Sequence, residues 1–174
     1  MNILWIRDGK KGHEKQVEIL LNEISKTENI TVKKEIILIS KLSQILELLI
    51  YSTSQLFGNR FLSKKKFSAY KENKTDIVIG AGSSIHIRML LIKNYVLNKG
   101  GSIKAVSILA PNLYKNKFDI ICSPSHDRKK LSNTNKTIYF EGSLAKVSTS
   151  EVDQNIGFIG IGGINKHFIF DQDA

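Results

Sequence analysis

The most constraining feature of the sequence is a regular alternation of short apolar runs with segments of helical periodicity. The runs are Ile3-Leu4-Trp5-Ile6, residues 31–39, Asp76-Ile77-Val78-Ile79-Gly80, and residues 103–109, 118–122 and 137–140. After the first run, Val17, Leu20, Leu21 and Ile24 recur at i, i+3, i+4 and i+7, which is one face of an amphipathic helix. After the second, Ser40 suits a helix N-cap, and Leu42, Ile45, Leu46, Leu49 and Ile50 repeat the helical spacing. After the third, a helix rich in Ile85, Leu91, Ile92 and Val96 stops at Gly100-Gly101. Strands alternating with helices in this order predict an α/β fold, a Rossmann-like parallel sheet with right-handed crossovers and helices on both faces.

In such sheets ligands bind where strands run out into loops, so the turns deserve the chemistry. The first is Asp8-Gly9-Lys10-Lys11-Gly12-His13-Glu14-Lys15-Gln16. Glycines let a ligand approach the main chain, and the helix start behind them leaves N–H groups that favour an anion. Asp8, His13 and Glu14 add three titratable side chains. The plainer reading is a strand-to-helix connection whose acids steady the helix dipole, and both readings stand. The second turn, Gly80-Ala81-Gly82-Ser83-Ser84, also precedes a helix. It lacks the third glycine of the dinucleotide fingerprint and the Gly-Lys-Ser/Thr ending of a P-loop. The third, Ser123-Pro124-Ser125-His126-Asp127-Arg128, puts a His-Asp pair at a strand end. That pair suits an acid/base role, metal ligation or a loop-tying hydrogen bond. With four histidines and one cysteine in the chain, no metal site is expected.

At 174 residues and 41% hydrophobic content, the chain can build the core of about one domain. Its 26 Lys and Arg against 16 Asp and Glu give a net charge of +10, spread along the chain as a solvated lysine-rich surface would be. No nucleic-acid recognition motif accompanies the charge, and a nucleic-acid partner is not expected. Residues 57–67 set Arg60, Lys64, Lys65 and Lys66 among Phe57, Phe61, Leu62 and Phe67, a pattern that fits contact with an anionic membrane or an ordinary inward-packed segment. Cys122 lies in an apolar run and reads as a buried, inert thiol. With neither signal peptide nor membrane span visible, a cytoplasmic location is expected, with peripheral membrane contact as its extension.

Residues 143–155 are polar, and Ile156-Gly157-Phe158-Ile159-Gly160-Ile161-Gly162-Gly163 then opens a new strand and glycine turn. The expected division is a Rossmann-like domain over residues 1–150, followed at 151–174 by a linker and the first strand of a second, truncated domain.

Taken in order, these motifs resemble the mitochondrial fission protein family, which comprises plant fission factors and bacterial relatives. The resemblance is carried by Asp8-Gly9-Lys10-Lys11-Gly12-His13-Glu14-Lys15-Gln16, Gly80-Ala81-Gly82, Phe118-Asp119, Pro124-Ser125-His126-Asp127-Arg128, Gly142-Ser143-Leu144 and Ile161-Gly162-Gly163-Ile164-Asn165-Lys166-His167. Lys15 stands where the family has Asn, and Ser143 where it has Ala. The resemblance implies a glycosyltransferase-B-like architecture in which this chain supplies the N-terminal, acceptor-side domain. A nucleotide sugar would be co-substrate, the acceptor would be unknown, and neither metal nor resident cofactor would be needed. It further implies His13 as base, with Asp8 or Glu14 orienting it. Gly9, Gly12, Gln16, Gly80, Gly82, Ser83, His126, Asp127, Gly142, Gly162, Gly163, Lys166 and His167 are then expected to line the ligand site. The alternative is a non-catalytic surface-binding factor with the same fold, related to organelle division.

Overall fold

Along the first strand, Ile3 and Trp5 face one way and Leu4 and Ile6 the other, and all four are buried. A strand apolar on both faces must be covered on both, and here it is. The computed structural model describes residues 1–38, 40–57, 70, 74–131 and 136–145. Its elements are β1 (Asn2–Arg7), α1 (Lys11–Ser25), β2 (Thr31–Ile36), α2 (Lys41–Phe57), β3 (Ile77–Ala81), α3 (Ser83–Asn98), β4 (Lys104–Ile108), β5 (Ile120–Pro124) and β6 (Thr137–Phe140). Short 3-10 turns cover Lys115–Lys117 and Ser125–Leu131.

The six strands form one sheet in the order β2-β1-β3-β4-β5-β6, and every neighbouring pair is parallel. One face packs α2 and α3 over Leu4, Ile6, Val78, Ala105 and Ile121. The other packs Val17 and Leu21 of α1 over Ile3, Trp5, Ile79 and Val106. The expected α/β Rossmann-like sheet with helices on both faces is therefore what the chain forms. Strand order reverses between β1 and β3, because β2 adds to one side of β1 and β3 to the other. That reversal leaves a crevice at the carboxyl ends of β1 and β3, the usual ligand position in open α/β sheets.

Two elements depart from expectation. The second strand stops at Ile36, three residues short of the predicted end; as an edge strand it leaves Ile36 and, beyond it, Leu38 exposed. Helix α2 turns most of its expected apolar stripe outward, with Ile50 alone of the five packing against the core. Leu42, Ile45, Leu46 and Leu49 face solvent, while Glu47, Tyr51 and Ser54 are buried. Glu47 is held by the Arg88 guanidinium of α3 in a buried ion pair, so the polar stripe of α2 is the one turned inward. Ser40 caps α2 as expected, its Oγ accepting from the Ser43 N–H at 3.2 Å. Cys122 is buried, and burial raises its thiol pKa, in keeping with an inert residue. The basic-aromatic segment after α2 and the strand and glycine turn expected within 151–174 lie outside the described residues.

Candidate functional site at the β1–β3 crevice

The register pairs Ile6 with Gly80, so two residues further on Asp8 and Gly82 come face to face at the ends of their strands. The Asp8 side chain is only 3% exposed. Its Oδ1 accepts from the Lys10 N–H at 3.1 Å, closing a turn over Gly9, whose φ of +79° suits glycine. Its Oδ2 lies 2.8 Å from Nδ1 of His13, in the first turn of α1. A carboxylate can only accept, so Nδ1 carries the proton and Nε2 presents a lone pair. His13 is 25% exposed, and among the described residues its Nε2 has no hydrogen-bond partner. The pair is thus an imidazole held in one tautomer with its basic nitrogen available.

Gly82 makes this possible. It caps α3 with φ +102°, and a Cβ there would sit 2.5 Å from His13 Nδ1 and 2.6 Å from Asp8 Oδ2. Any side chain would displace the pair and strain the backbone. Among the described residues no side chain caps the α3 N-terminus, which leaves its first N–H groups without a side-chain acceptor. The Ser84 Oγ lies 3.5 Å from Asp8 Oδ2, at the limit of a hydrogen bond. Two hollows share this corner. One, of about 340 Å³, is bordered by Asp8, Lys10, Leu38 and Ser84. The other, of about 450 Å³, lies between α2 and α3 and is lined by Glu47, Ser83, Ser84 and His86 among others. Ser84 and Gln44 border both.

Not every residue expected at the site converges there. Glu14 is paired with the Arg7 guanidinium, so orienting the imidazole falls to Asp8. Gly12 has open space around it and nothing nearby demands glycine. Gln16 lies one turn along α1, its Oε1 buried and, among the described residues, without a hydrogen bond. Gly80 lies within β3, where an added Cβ would strike Ile85 and the Ile6 carbonyl. His126 and Asp127 follow β5 at the same carboxyl rim but two strands from β3. His126 is exposed, and Asp127 is tied to Lys130 at 2.6 Å, the loop-tying arrangement rather than a His-Asp pair. Gly142 follows β6 at the sheet's far edge. Gly162, Gly163, Lys166 and His167 lie outside the described residues. Among those described, no group of three or more His, Cys, Asp or Glu is placed to hold a metal ion, and no helix is long and apolar enough to cross a membrane.

His86 is the site residue that the sequence did not single out. It is 3% exposed, and its Nε2 lies 2.9 Å from Ser107 Oγ, which donates its own proton to the Leu109 carbonyl at 2.8 Å. His86 must therefore donate from Nε2, leaving Nδ1 an acceptor that is buried and, among the described residues, without a partner. Burial is the main cause that lowers its pKa to about 4, and the nearby Asp8 carboxylate opposes it. The only signal in the sequence was a histidine within the oily run of α3.

The family model described as "Mitochondrial fission ELM1" matches residues 11–174, nearly the whole chain, beginning three residues after Asp8. No curated protein and no solved structure matches it.

Proposed function

The chain belongs to the mitochondrial fission ELM1 family, and from that premise we propose that it is the acceptor-side domain of a metal-independent, nucleotide-sugar-dependent glycosyltransferase-like protein. The observation that carries the reading is the 2.8 Å Asp8–His13 pair at the strand-order reversal, with the imidazole 25% exposed and its Nε2 without a hydrogen-bond partner among the described residues. In this mechanism an acceptor hydroxyl gives its proton to His13 Nε2 as its oxygen bonds the sugar's anomeric carbon. The bond from that carbon to the diphosphate breaks, and the diphosphate leaves with the electron pair. Asp8 stabilises the imidazolium that forms. In a glycosyltransferase-B-like arrangement the donor would come from a second domain, and basic side chains would meet its diphosphate. The uncapped start of α3 also favours negative charge in the crevice.

The test is turnover of a panel of nucleoside-diphosphate sugars by the intact gene product. His13→Ala should lower the rate by roughly 10²–10⁴, the usual contribution of a general base. Undiminished turnover in His13→Ala would remove the base assignment.

A second reading is favoured by one observation, the solvent-facing Leu42, Ile45, Leu46 and Leu49 of α2. In it the protein is a non-catalytic factor that rests this helix on an anionic membrane surface, aided by its net charge of +10. Co-sedimentation with anionic vesicles that weakens with salt is its expected result, and no binding at low salt counts against it.

A further inference from the structure

The net charge of +10 is spread along the sequence, but the exposed acids are not spread evenly over the fold. A parallel sheet sends every turn that follows a strand to one rim. Residues 8–13, 37–57, 82–88, 109–117 and 125–131 make up the turns after β1 to β5 together with α2, and their only carboxylates are Asp8, Glu47 and Asp127. All three side chains are withdrawn from solvent and paired, with His13, Arg88 and Lys130 respectively. Lys10, Lys41, Lys117, Arg128 and Lys129 stand exposed on the same stretches. The exposed acid at this rim among the described residues is Glu141, which follows β6 at the sheet's far edge and accepts from Ser125 Oγ at 2.6 Å. The opposite rim is mixed, with Glu28 and Asp76 exposed beside Lys26, Lys74 and Lys99.

This cationic rim runs on into an apolar face. Helix α2 starts at the rim, and Leu42, Ile45, Leu46 and Leu49 lead back from it along one exposed side. Leu38 stands exposed just before α2, and Leu113 in the turn after β4. Tyr114 ties that turn to the helix, its hydroxyl 2.8 Å from Ser52 Oγ and its ring edge-on to Tyr51 with centroids 4.7 Å apart. Lys115 ties it to the next turn, its Nζ donating to the Lys130 carbonyl at 2.5 Å. Aliphatic side chains and cations from separate segments are thus held in one surface. That surface adjoins the crevice, since Leu38 borders the hollow that Asp8 lines, and Ile45 and Leu113 border the one that Ser84 lines.

The combination selects the partner. A nucleic acid would use the cations and leave the leucines wet. A second copy would cover the leucines but set one cationic rim against another. An anionic bilayer answers both, with hydrocarbon for the aliphatic stripe and headgroup charge for the lysines around it. We propose that the carboxyl rim and the outer side of α2 rest together on an anionic bilayer, which sets the Asp8–His13 crevice at the headgroups and makes its acceptor a hydroxyl of a membrane lipid. The lipid hydroxyl gives its proton to His13 and bonds the anomeric carbon as the diphosphate leaves with the electron pair. This goes beyond resting α2 alone on a membrane, because it places the crevice itself at the bilayer. The acceptor's identity rests on the transferase reading; the docking does not.

The experiment mixes the full chain with vesicles of phosphatidylcholine, alone or with phosphatidylglycerol, whose acyl chains are brominated to quench tryptophan. Binding should require phosphatidylglycerol. Leu113→Trp, at the carboxyl rim, should be quenched, and Leu97→Trp, exposed where α3 ends at the opposite rim, should not; the natural Trp5 is buried and gives the same background in both. Leu46→Glu should weaken binding by about tenfold or more, and Lys41→Ala and Lys117→Ala by about fivefold each. Nucleotide-sugar turnover should rise when the anionic vesicles are added. Leu46→Glu should remove that rise and leave turnover without vesicles unchanged. The docking is overturned if anionic vesicles do not bind, or if the two tryptophans are quenched alike. It is overturned too if the lysines hold a single-stranded oligonucleotide more tightly than vesicles with Leu46→Glu of no effect, or if a lipid-free dimer forms that Leu46→Glu dissolves. Bound protein that turns over no nucleotide sugar would sink the transferase reading and leave the docking standing. Turnover indifferent to bound vesicles would overturn the lipid acceptor.

Discussion

At the scale of single residues, His86 ties stability to pH more directly than any other group at the crevice. Its pKa falls from an ordinary 6.5 to about 4 because burial disfavours the charged ring. Between those values the unfolded chain binds a proton that the folded chain refuses, so folding is penalised as the solution is acidified. The contribution is complete above pH 6.5 and is lost as pH falls toward 4, where it amounts to about 3 kcal/mol. Urea unfolding followed from pH 7 to pH 4 should show this loss, and His86→Gln, which keeps a donor for Ser107 without a titrating ring, should flatten it. Equal acid sensitivity in the two proteins would mean that His86 does not carry it. Nothing in the residue order announced this. A histidine between Ile85 and Ile87 is invisible to periodicity, and its importance comes from Ser107, which reaches it across the fold. Asp8 and His13 were legible because their loop is contiguous in sequence. Which acid would hold the imidazole was not, since Arg7 draws Glu14 away only once β1 and α1 are in place.

At the scale of elements, periodicity revealed that α2 is a helix with a sided surface but not which side turns inward. Its apolar stripe is exposed because a stronger constraint acts on the opposite face. Glu47 and Arg88, charged residues within two oily helices, meet in a buried pair that fixes α2 against α3. Removing one partner leaves the other charged, buried and alone, so Glu47→Ala should destabilise the fold by about 3–5 kcal/mol. Replacing the pair together, Glu47→Leu with Arg88→Met, should recover most of that loss, because a well-packed apolar pair needs no desolvation of charge. Chemical denaturation of the two variants measures both, and a double variant as unstable as the single one would contradict the assignment. The edge strand β2 ended early for a related reason. Apolar residues at 36–39 continue a strand by propensity, but the register with β1 runs only from Thr31 to Ile36.

At the scale of the whole molecule, the order of elements was readable because a parallel sheet demands a crossover between strands, and those helices punctuate the chain. The strand sequence β2-β1-β3-β4-β5-β6 then follows from one reversal, and that reversal sets Asp8, His13 and Gly82 together. Its carboxyl rim also carries the turn after β5, yet strand spacing keeps His126 and Asp127 away from the imidazole. Sharing a rim is less than sharing a site, a distinction that sequence order alone does not make. The proposed transferase requires Asp8 and His13 to act as one unit at this crevice. A double-mutant cycle on nucleotide-sugar turnover tests it, comparing Asp8→Asn, His13→Gln and the two combined. If the pair works as a unit, the combined variant loses no more than the worse single variant, because either change already disables the base. Single losses that multiply in the combined variant, or singles that turn over as fast as the natural protein, would contradict it.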